Sequence, residues 1–290
     1  MVELTNISRP PLISVCIPTF NGSKTIRSAV QSVLNQTYEN YEVIIGDDAS
    51  TDETLQILGD FTDPRISIHK FAKAKTAAEN WNRAIGHCRG EFIKMMGQDD
   101  IIYPDCLMVE CKTFEEYAKA KPTFTFASRD IISADGRRIL QSKHKTNRPN
   151  KECTFENYAP QIVRSGRNPI GEPVAVLIHS HAFRKTQGFS RSYVVDLDMW
   201  FQLLRQGPAI RINSTLSAFR ISKSSWSFSL RKTQAAETLS LFRAMRQNKP
   251  GAISTMDLAI GFVMANTLQM VRSLLIRLIN QISWLRNHDN

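Results

Sequence analysis

Acidic pairs placed at the ends of apolar runs are the residues of this chain best suited to chemistry. Asp99-Asp100 follows the apolar stretch Phe92-Ile93-Lys94-Met95-Met96, and adjacent carboxylates repel unless a cation lies between them. A hard divalent ion that also takes oxygens from water and substrate phosphates supplies that compensation. Capping and solvation is the competing explanation, since most loop aspartates do no more than that. A second group is Asp196-Leu197-Asp198-Met199-Trp200. There Asp198 reads as the cap of a helix over 198–205. Asp196, just before it, is either a general base for a substrate hydroxyl or an exposed charge. A third group, Gly46-Asp47-Asp48-Ala49-Ser50-Thr51-Asp52, offers Thr51 and Asp52 as caps for a helix over 53–58. No Gly-x-Gly-x-x-Gly follows the first strand and no Gly-x-x-x-x-Gly-Lys occurs, so neither a dinucleotide fingerprint nor a P-loop is supported. His179 and His181 bracket Ser180 and read as ordinary loop or edge histidines.

The elements that must position these acids alternate. Apolar runs at 12–17, 43–45, 66–69 and 91–96 read as strands, and helical spacing appears at Ile26, Ala29, Val30, Val33 and Leu34 and over 77–88. Pro104 suits the first turn of a helix running to about Lys119. This order implies an α/β fold with a parallel sheet and crossovers, in which ligands bind outside the carboxyl ends of the strands. The loops so singled out are Pro18-Thr19-Phe20-Asn21, the Gly46 to Asp52 run, and Gly97-Gln98-Asp99-Asp100. Beyond them, a Ser133-Ala134-Asp135-Gly136 turn predicts a hairpin over 124–141, followed by a basic loop over 137–151. Strands are predicted at 173–178 and 210–220. After Lys249-Pro250-Gly251, Ser254 and Asp257 form a capping-box-like helix start. Val271, Leu274, Leu275, Leu278, Ile282 and Leu285 then share one face, flanked by Arg272, Arg277 and Arg286.

Composition narrows the class. The 290 residues are 42% hydrophobic and 22% charged, which excludes a disordered chain or a collagen-like repeat. Lysine plus arginine total 37 against 27 acids, a net +10 that favours anionic partners. No recognisable nucleic-acid module accompanies that surplus. The five cysteines lack metal-ligand spacing and fit buried thiols in a reducing compartment. Neither a leader nor a run of membrane-spanning length is found, so a cytoplasmic protein is expected.

In order and spacing, the motifs resemble those of the inverting family 2 glycosyltransferases over about residues 11–230. They run from the strand at 12–17 with Pro18-Thr19-Phe20-Asn21 through Ser32-Val33-Leu34-Asn35-Gln36-Thr37-Tyr38 and the segment 41–52. Asn82, Gly90-Glu91-Phe92-Ile93, Gln98-Asp99-Asp100, Gly171-Glu172-Pro173 and Asp196-Leu197-Asp198-Met199-Trp200 continue them. The resemblance implies a GT-A fold, a Rossmann-like, mostly parallel sheet flanked by helices. It makes 1–230 the transferase domain and 231–290 a basic, amphipathic helical extension. It also implies transfer of a sugar from a nucleotide-diphosphate donor to an acceptor hydroxyl, in cell-surface polysaccharide or lipopolysaccharide synthesis.

On that resemblance, Pro18, Thr19, Phe20, Asn21, Asp48, Lys75 and Gln98 face the nucleotide, with Lys73 an alternative to Lys75 at the phosphates. Asp99 and Asp100 hold Mn²⁺ or Mg²⁺, Asp196 is the base, and Glu172 and Asp198 line the acceptor side; apart from the resemblance, Trp226 in the polar run Ser224-Ser225-Trp226-Ser227 is the aromatic candidate for acceptor contact. Two departures stand out: Gly97 replaces the family's usual first aspartate, and Ser222 stands where related chains often have histidine. Both favour the rival expectation, a catalytically silent nucleotide-sugar-binding or scaffold protein of the same fold. The acceptor is expected to be a glycan or a lipid-linked sugar. The helical extension packs on the domain, forms a homodimer contact, or lies against the inner face of the cytoplasmic membrane.

Overall fold

The computed structural model describes residues 10–142, 149–191, 194–221 and 234–288, with the side chains of the last helix described as far as Val271. Strands β1 (Ile13–Thr19), β2 (Tyr41–Asp47), β3 (Ile66–Lys70) and β4 (Phe92–Met95) pair in parallel. They are joined by helices α1 (Ile26–Leu34), α2 (Thr54–Gly59) and α3 (Ala77–Ile85). Every residue of β1, β2 and β4 is buried, which is why these strands read as mostly apolar runs rather than alternating ones. The faces still alternate. Ile13, Val15 and Ile17 pack with α1, whereas Cys16 turns to the opposite core with α3. Lys94 survives inside β4 because both oxygens of Glu110 receive its ammonium, at 2.6 and 2.9 Å, with both side chains fully buried.

The second half departs from a simple crossover pattern. It contains β5 (Ile101–Ile102), α4 (Cys106–Glu116), β6 (Phe124–Ile132), β7 (Arg138–Leu140), β8 (Lys151–Cys153) and α5 (Phe155–Ser165). After them come β9 (Val176–His179), α6 (Ser180–Phe183), α7 (Val195–Leu204) and β10 (Ala209–Arg220). The sheet order is β3-β2-β1-β4-β9-β6-β10-β5, with β7 beside β6 and β8 beside β10. Because β9 runs antiparallel to both β4 and β6, the sheet is parallel on one side and mixed beyond β4. The predicted 124–141 hairpin is present as β6 and β7.

Several boundaries differ from the sequence expectation. The strand predicted at 173–178 begins with a 3₁₀ turn, Pro173–Ala175, because proline has no amide hydrogen for the ladder. Helix α5 was not anticipated, yet Thr154 and Asn157 form a reciprocal capping box at its start. Helix α7 starts three residues earlier than predicted, with no side-chain cap, so Asp196 and Asp198 both lie in its first turn. Asp198 is therefore not the cap.

Helices α8 (Gln234–Asn248) and α9 (Thr255–His288) follow. Leu241, Phe242 and Met245 of α8 enter the same core as α5 and α7. Helix α9 starts at the expected Ser254–Asp257 box and crosses α5 closely. A Cβ on Gly261 would stand 2.5 Å from the Val163 carbonyl oxygen, and one on Gly166 would stand 2.6 Å from the Ala265 nitrogen. No described helix is long and apolar enough to cross a membrane. Trp226 and Ser222 lie outside the described residues, as do the side chains of Arg272, Arg277 and Arg286.

Candidate active site

The carboxyl ends of β1, β2 and β4 carry the three expected loops, and hydrogen bonds staple them together. Asn21, at φ +49°, donates its backbone N–H to Ser50 Oγ (2.9 Å), and its side-chain oxygen accepts from Thr51 N (2.8 Å). Gly22 N donates to Thr54 Oγ1 and Ser23 N to Asp52 Oδ2, so these residues brace the loop; the N-cap of α2 is Glu53, and neither Thr51 nor Asp52 caps the helix as expected. Gln98 is spent in the same way. Its Oε1 accepts from Phe20 N (2.8 Å) and from the Thr19 hydroxyl, and its Nε2 donates to Phe20 O (3.1 Å). Asn21 and Gln98 thus shape the predicted nucleotide loop and hold it in place.

Asp48 backs that loop, its own N–H donating to Thr19 O. Its carboxylate is nearly buried and accepts from Lys73 Nζ (2.8 Å) and from Ala74 N. The same ammonium lies 2.9 Å from the centroid of the exposed Phe20 ring. Lys73 is therefore the lysine at this spot. Lys75 is exposed, and its side chain forms no ion pair among the described residues.

Below this loop Asp99 and Asp100 converge. Asp100 accepts from Arg220 N and from Gly97 N, both at 3.2 Å. The Arg220 side chain is occupied with carbonyl oxygens of Asp99, Ser133 and Ala134. The Asp99 carboxylate has no hydrogen-bond partner outside its own residue among those described. Where a Cβ would stand on Gly97, Asp99 Oδ1 is 2.8 Å away and Asp100 Oδ2 3.0 Å away. Burial raises the proton affinity of both groups, and Asp99 and Glu172 raise that of Asp100 further. Two hard oxygens that crowd one point, with the Arg220 guanidinium turned to backbone carbonyls and forming no ion pair with them, fit a divalent cation. Among the described residues they form no three-carboxylate cage, so water and phosphate oxygens would complete the shell.

The third acid neighbours Glu172. Asp196 is part-buried at the start of α7. Its Oδ1 accepts from Leu197 N (3.0 Å) and its Oδ2 from Asn168 Nδ2 (3.2 Å). Burial first, and the Glu172 charge second, push its carboxyl up to about 7, against the lowering pull of Arg129. Glu172 is ion-paired with Arg129 of β6, which lies against Gly171. Glu172 acts electrostatically on both Asp100 and Asp196, so it neighbours the paired acids and the single one. A chain of contacts runs from Asp48 through Thr19, Gln98 and the adjoining Asp99-Asp100 pair to Glu172 and Asp196, its last two steps electrostatic.

Asp198 does not join it. Two residues on is about 200° around a helix, and Asp198 meets Arg191 (3.2 Å), Ser190 and Gln202 instead. Asn82 is a second brace, exchanging two hydrogen bonds with the backbone of Phe189. His179 and His181 are at the opposite end of the sheet, in a groove of about 680 Å³ that contains none of these acids. Sequence reasoning missed Arg129 and Asn168. The first is a cation within the apolar strand β6, and the second begins an Asn-Pro turn.

Residues 14–184 match the family model described as Glycosyl transferase family 2. The chain is 31% identical over 216 residues to chondroitin synthase of Escherichia coli, covering 73% of this chain and 29% of that protein. To the UDP-Glc:alpha-D-GlcNAc-diphosphoundecaprenol beta-1,3-glucosyltransferase WfgD of E. coli it is 28% identical over 219 residues, covering 74% and 79%. Staphylococcus aureus TarS 1-349, solved with UDP-GlcNAc, superposes with TM-score 0.65 at 17% identity, covering 81% of this chain and 66% of that one. The mannosyltransferase PcManGT of Pyrobaculum calidifontis, solved with GDP-Man and Mn²⁺, gives TM-score 0.63 at 16% identity, covering 96% and 81%. With the matched segment spanning β1 to α6 and the acids gathered at the strand ends, the chain belongs to glycosyl transferase family 2 and has the GT-A fold.

Proposed function

We propose that the cleft moves a sugar from a nucleoside diphosphate to an acceptor hydroxyl in one inverting displacement. The observation that carries this reading is the gathering of the acids around Glu172. A close carboxylate pair and a single carboxyl of raised proton affinity both neighbour Glu172. Phe20 and Asp48 hold the nucleoside, with Lys73 free to turn from Asp48 towards the phosphates. Asp99 and Asp100 would hold Mn²⁺ or Mg²⁺, which when bound offsets the charge that builds on the departing diphosphate. Asp196 takes the proton of the acceptor hydroxyl as that oxygen attacks the anomeric carbon from the opposite face. Glu172, kept in place by Arg129, lines the acceptor path.

Purified protein is assayed against UDP-, GDP- and dTDP-sugars with Mn²⁺ present. Donor-specific turnover is the expected result. Tight nucleotide binding without turnover of any donor would make this a silent binder instead.

The names of the relatives support an acceptor carried on lipid, since WfgD is named for a diphosphoundecaprenol-linked sugar. We further propose that residues 231–290 serve as a membrane-facing extension at the cytoplasmic side. On α9, Met256, Ile260, Val263, Met270 and Val271 are exposed while Gly261 and Ala265 face α5. From 258 to 271 the helix carries no charge, an uncommon surface for a protein face in water. In a flotation assay the full chain should rise with anionic vesicles, and the Val263→Glu/Met270→Glu variant should not. A chain that stays in the pellet fraction and dimerises through this face in light scattering would assign the surface to a second copy.

A further inference from the structure

The amide of Asn168 is used at every position. Its Oδ1 accepts from Ile170 N and Gly171 N, both at 3.1 Å, and its Nδ2 donates to Gly171 O (2.9 Å) and to Asp196 Oδ2 (3.2 Å). Those four partners fix which way the amide faces, since a flipped amide would set donor against donor. Gly171, at φ +112°, receives a second hydrogen bond at its carbonyl from the buried Trp200 Nε1 (2.9 Å). Trp200 is on α7, one turn beyond Asp196. The turn that presents Glu172 is thereby tied to α7 twice, once through Asn168 and once through Trp200. Only the Asn168 tie also touches the base.

We propose that Asn168 is a positioning residue for the transfer reaction, holding the Asp196 carboxylate and the Glu172 turn in one frame. This rests on the assignment of Asp196 as base. Its two N–H donors, from Asn168 and Leu197, occupy one lone pair on each oxygen and leave the outward pairs for the acceptor hydroxyl. Both donors favour the charged form. Backbone N–H groups of Leu197 and Asp196 and the charge of Arg129 on β6 act against burial and the charge of Glu172, and the Asn168 N–H is a further donor to the same carboxylate. Asp198 is turned away from this frame.

Two substitutions separate positioning from plain structural support. Asn168→Ser stays uncharged, keeps a short acceptor for Ile170 N and Gly171 N, and loses the donor to Asp196. Trp200→Phe removes the other bond to Gly171 and leaves the base untouched. In Asn168→Ser the acid limb of kcat/KM should move up by about one pH unit, the worth of one hydrogen bond to a charged group. The loss should approach about 10-fold near pH 6.5 and shrink at pH 9. In Trp200→Phe the limb should stay where it is in the parent enzyme. A loss in Asn168→Ser that is uniform across pH, or an equal shift in Trp200→Phe, overturns the proposal. Asp196→Asn run alongside keeps the two claims apart. If it retains full transfer the base assignment fails, and if it is inactive while the Asn168→Ser limb is unmoved, only the positioning role fails.

Discussion

Asp196→Asn should lower kcat by about three orders of magnitude while nucleotide affinity stays within about twofold. The amide cannot take the acceptor proton, whereas Phe20, Asp48 and Lys73 belong to other loops and are unchanged. The parent enzyme should lose kcat/KM as pH falls through about 7, the value to which burial and Glu172 raise the Asp196 carboxyl. The same shift has a stability consequence of opposite sign. A carboxyl ionising near 3.8 when unfolded and near 7 when folded binds an extra proton in the folded state between those values. Its contribution is fully present below about pH 4 and is lost as pH rises through 7. At pH 8 the folded protein keeps a charge in a site that disfavours it, and the neutral amide avoids that cost. Asp196→Asn should therefore melt a few degrees higher than the parent at pH 8, with the difference closing towards pH 5. Calorimetric melts at the two pH values, together with a transfer assay, check both halves. Undiminished transfer would remove Asp196 from the chemistry.

Much of the site was legible because parallel strands buried on both faces leave an unmistakable signal. Each of β1, β2 and β4 is an apolar run that ends in a polar loop, and those loops are where the acids gather. Family resemblance then supplied Asp196, which spacing alone left balanced between a base and a surface charge. Legibility failed where long-range pairing decides. Nothing local in Val176-Leu177-Ile178-His179 says that it runs antiparallel between β4 and β6. Helix α5 was hidden by Pro160 in its interior and by the basic loop before it, although its capping residues were visible. Helix phase was decisive at α7. With the start placed at 198, Asp196 and Asp198 read as neighbours on one acceptor wall, whereas a start at Val195 puts them on opposite sides. Gln98 was assigned to the ligand, yet its amide is consumed by the loop it supports. Sequence shows which residue types are present and says little about which of their hydrogen bonds are already taken.

Gly97 sets the resemblance against the geometry. By motif logic, Gly97→Asp restores the family's usual first carboxylate and should improve the enzyme. By the packing it should do harm, because the new Cβ would stand 2.8 Å from Asp99 Oδ1 and 3.0 Å from Asp100 Oδ2. Asp100 is buried and tied to Gly97 N and Arg220 N, so Asp99 has to give way, and the convergence of the two oxygens is lost. A third carboxylate also adds repulsion to a pair whose proton affinity burial already raises. Both Gly97→Ala and Gly97→Asp should weaken Mn²⁺ binding by about 10-fold or more, equivalent to about 1.4 kcal/mol, and lower turnover in step. Titration of Mn²⁺ by paramagnetic resonance, without any donor present, reads the first effect independently of activity. Chelation should stop turnover in the parent enzyme and added Mn²⁺ should restore it. A Gly97→Asp enzyme that binds Mn²⁺ more tightly and turns over faster would mean that the chain tolerates a Cβ there, and that the glycine is a loss rather than the feature that lets two carboxylates meet.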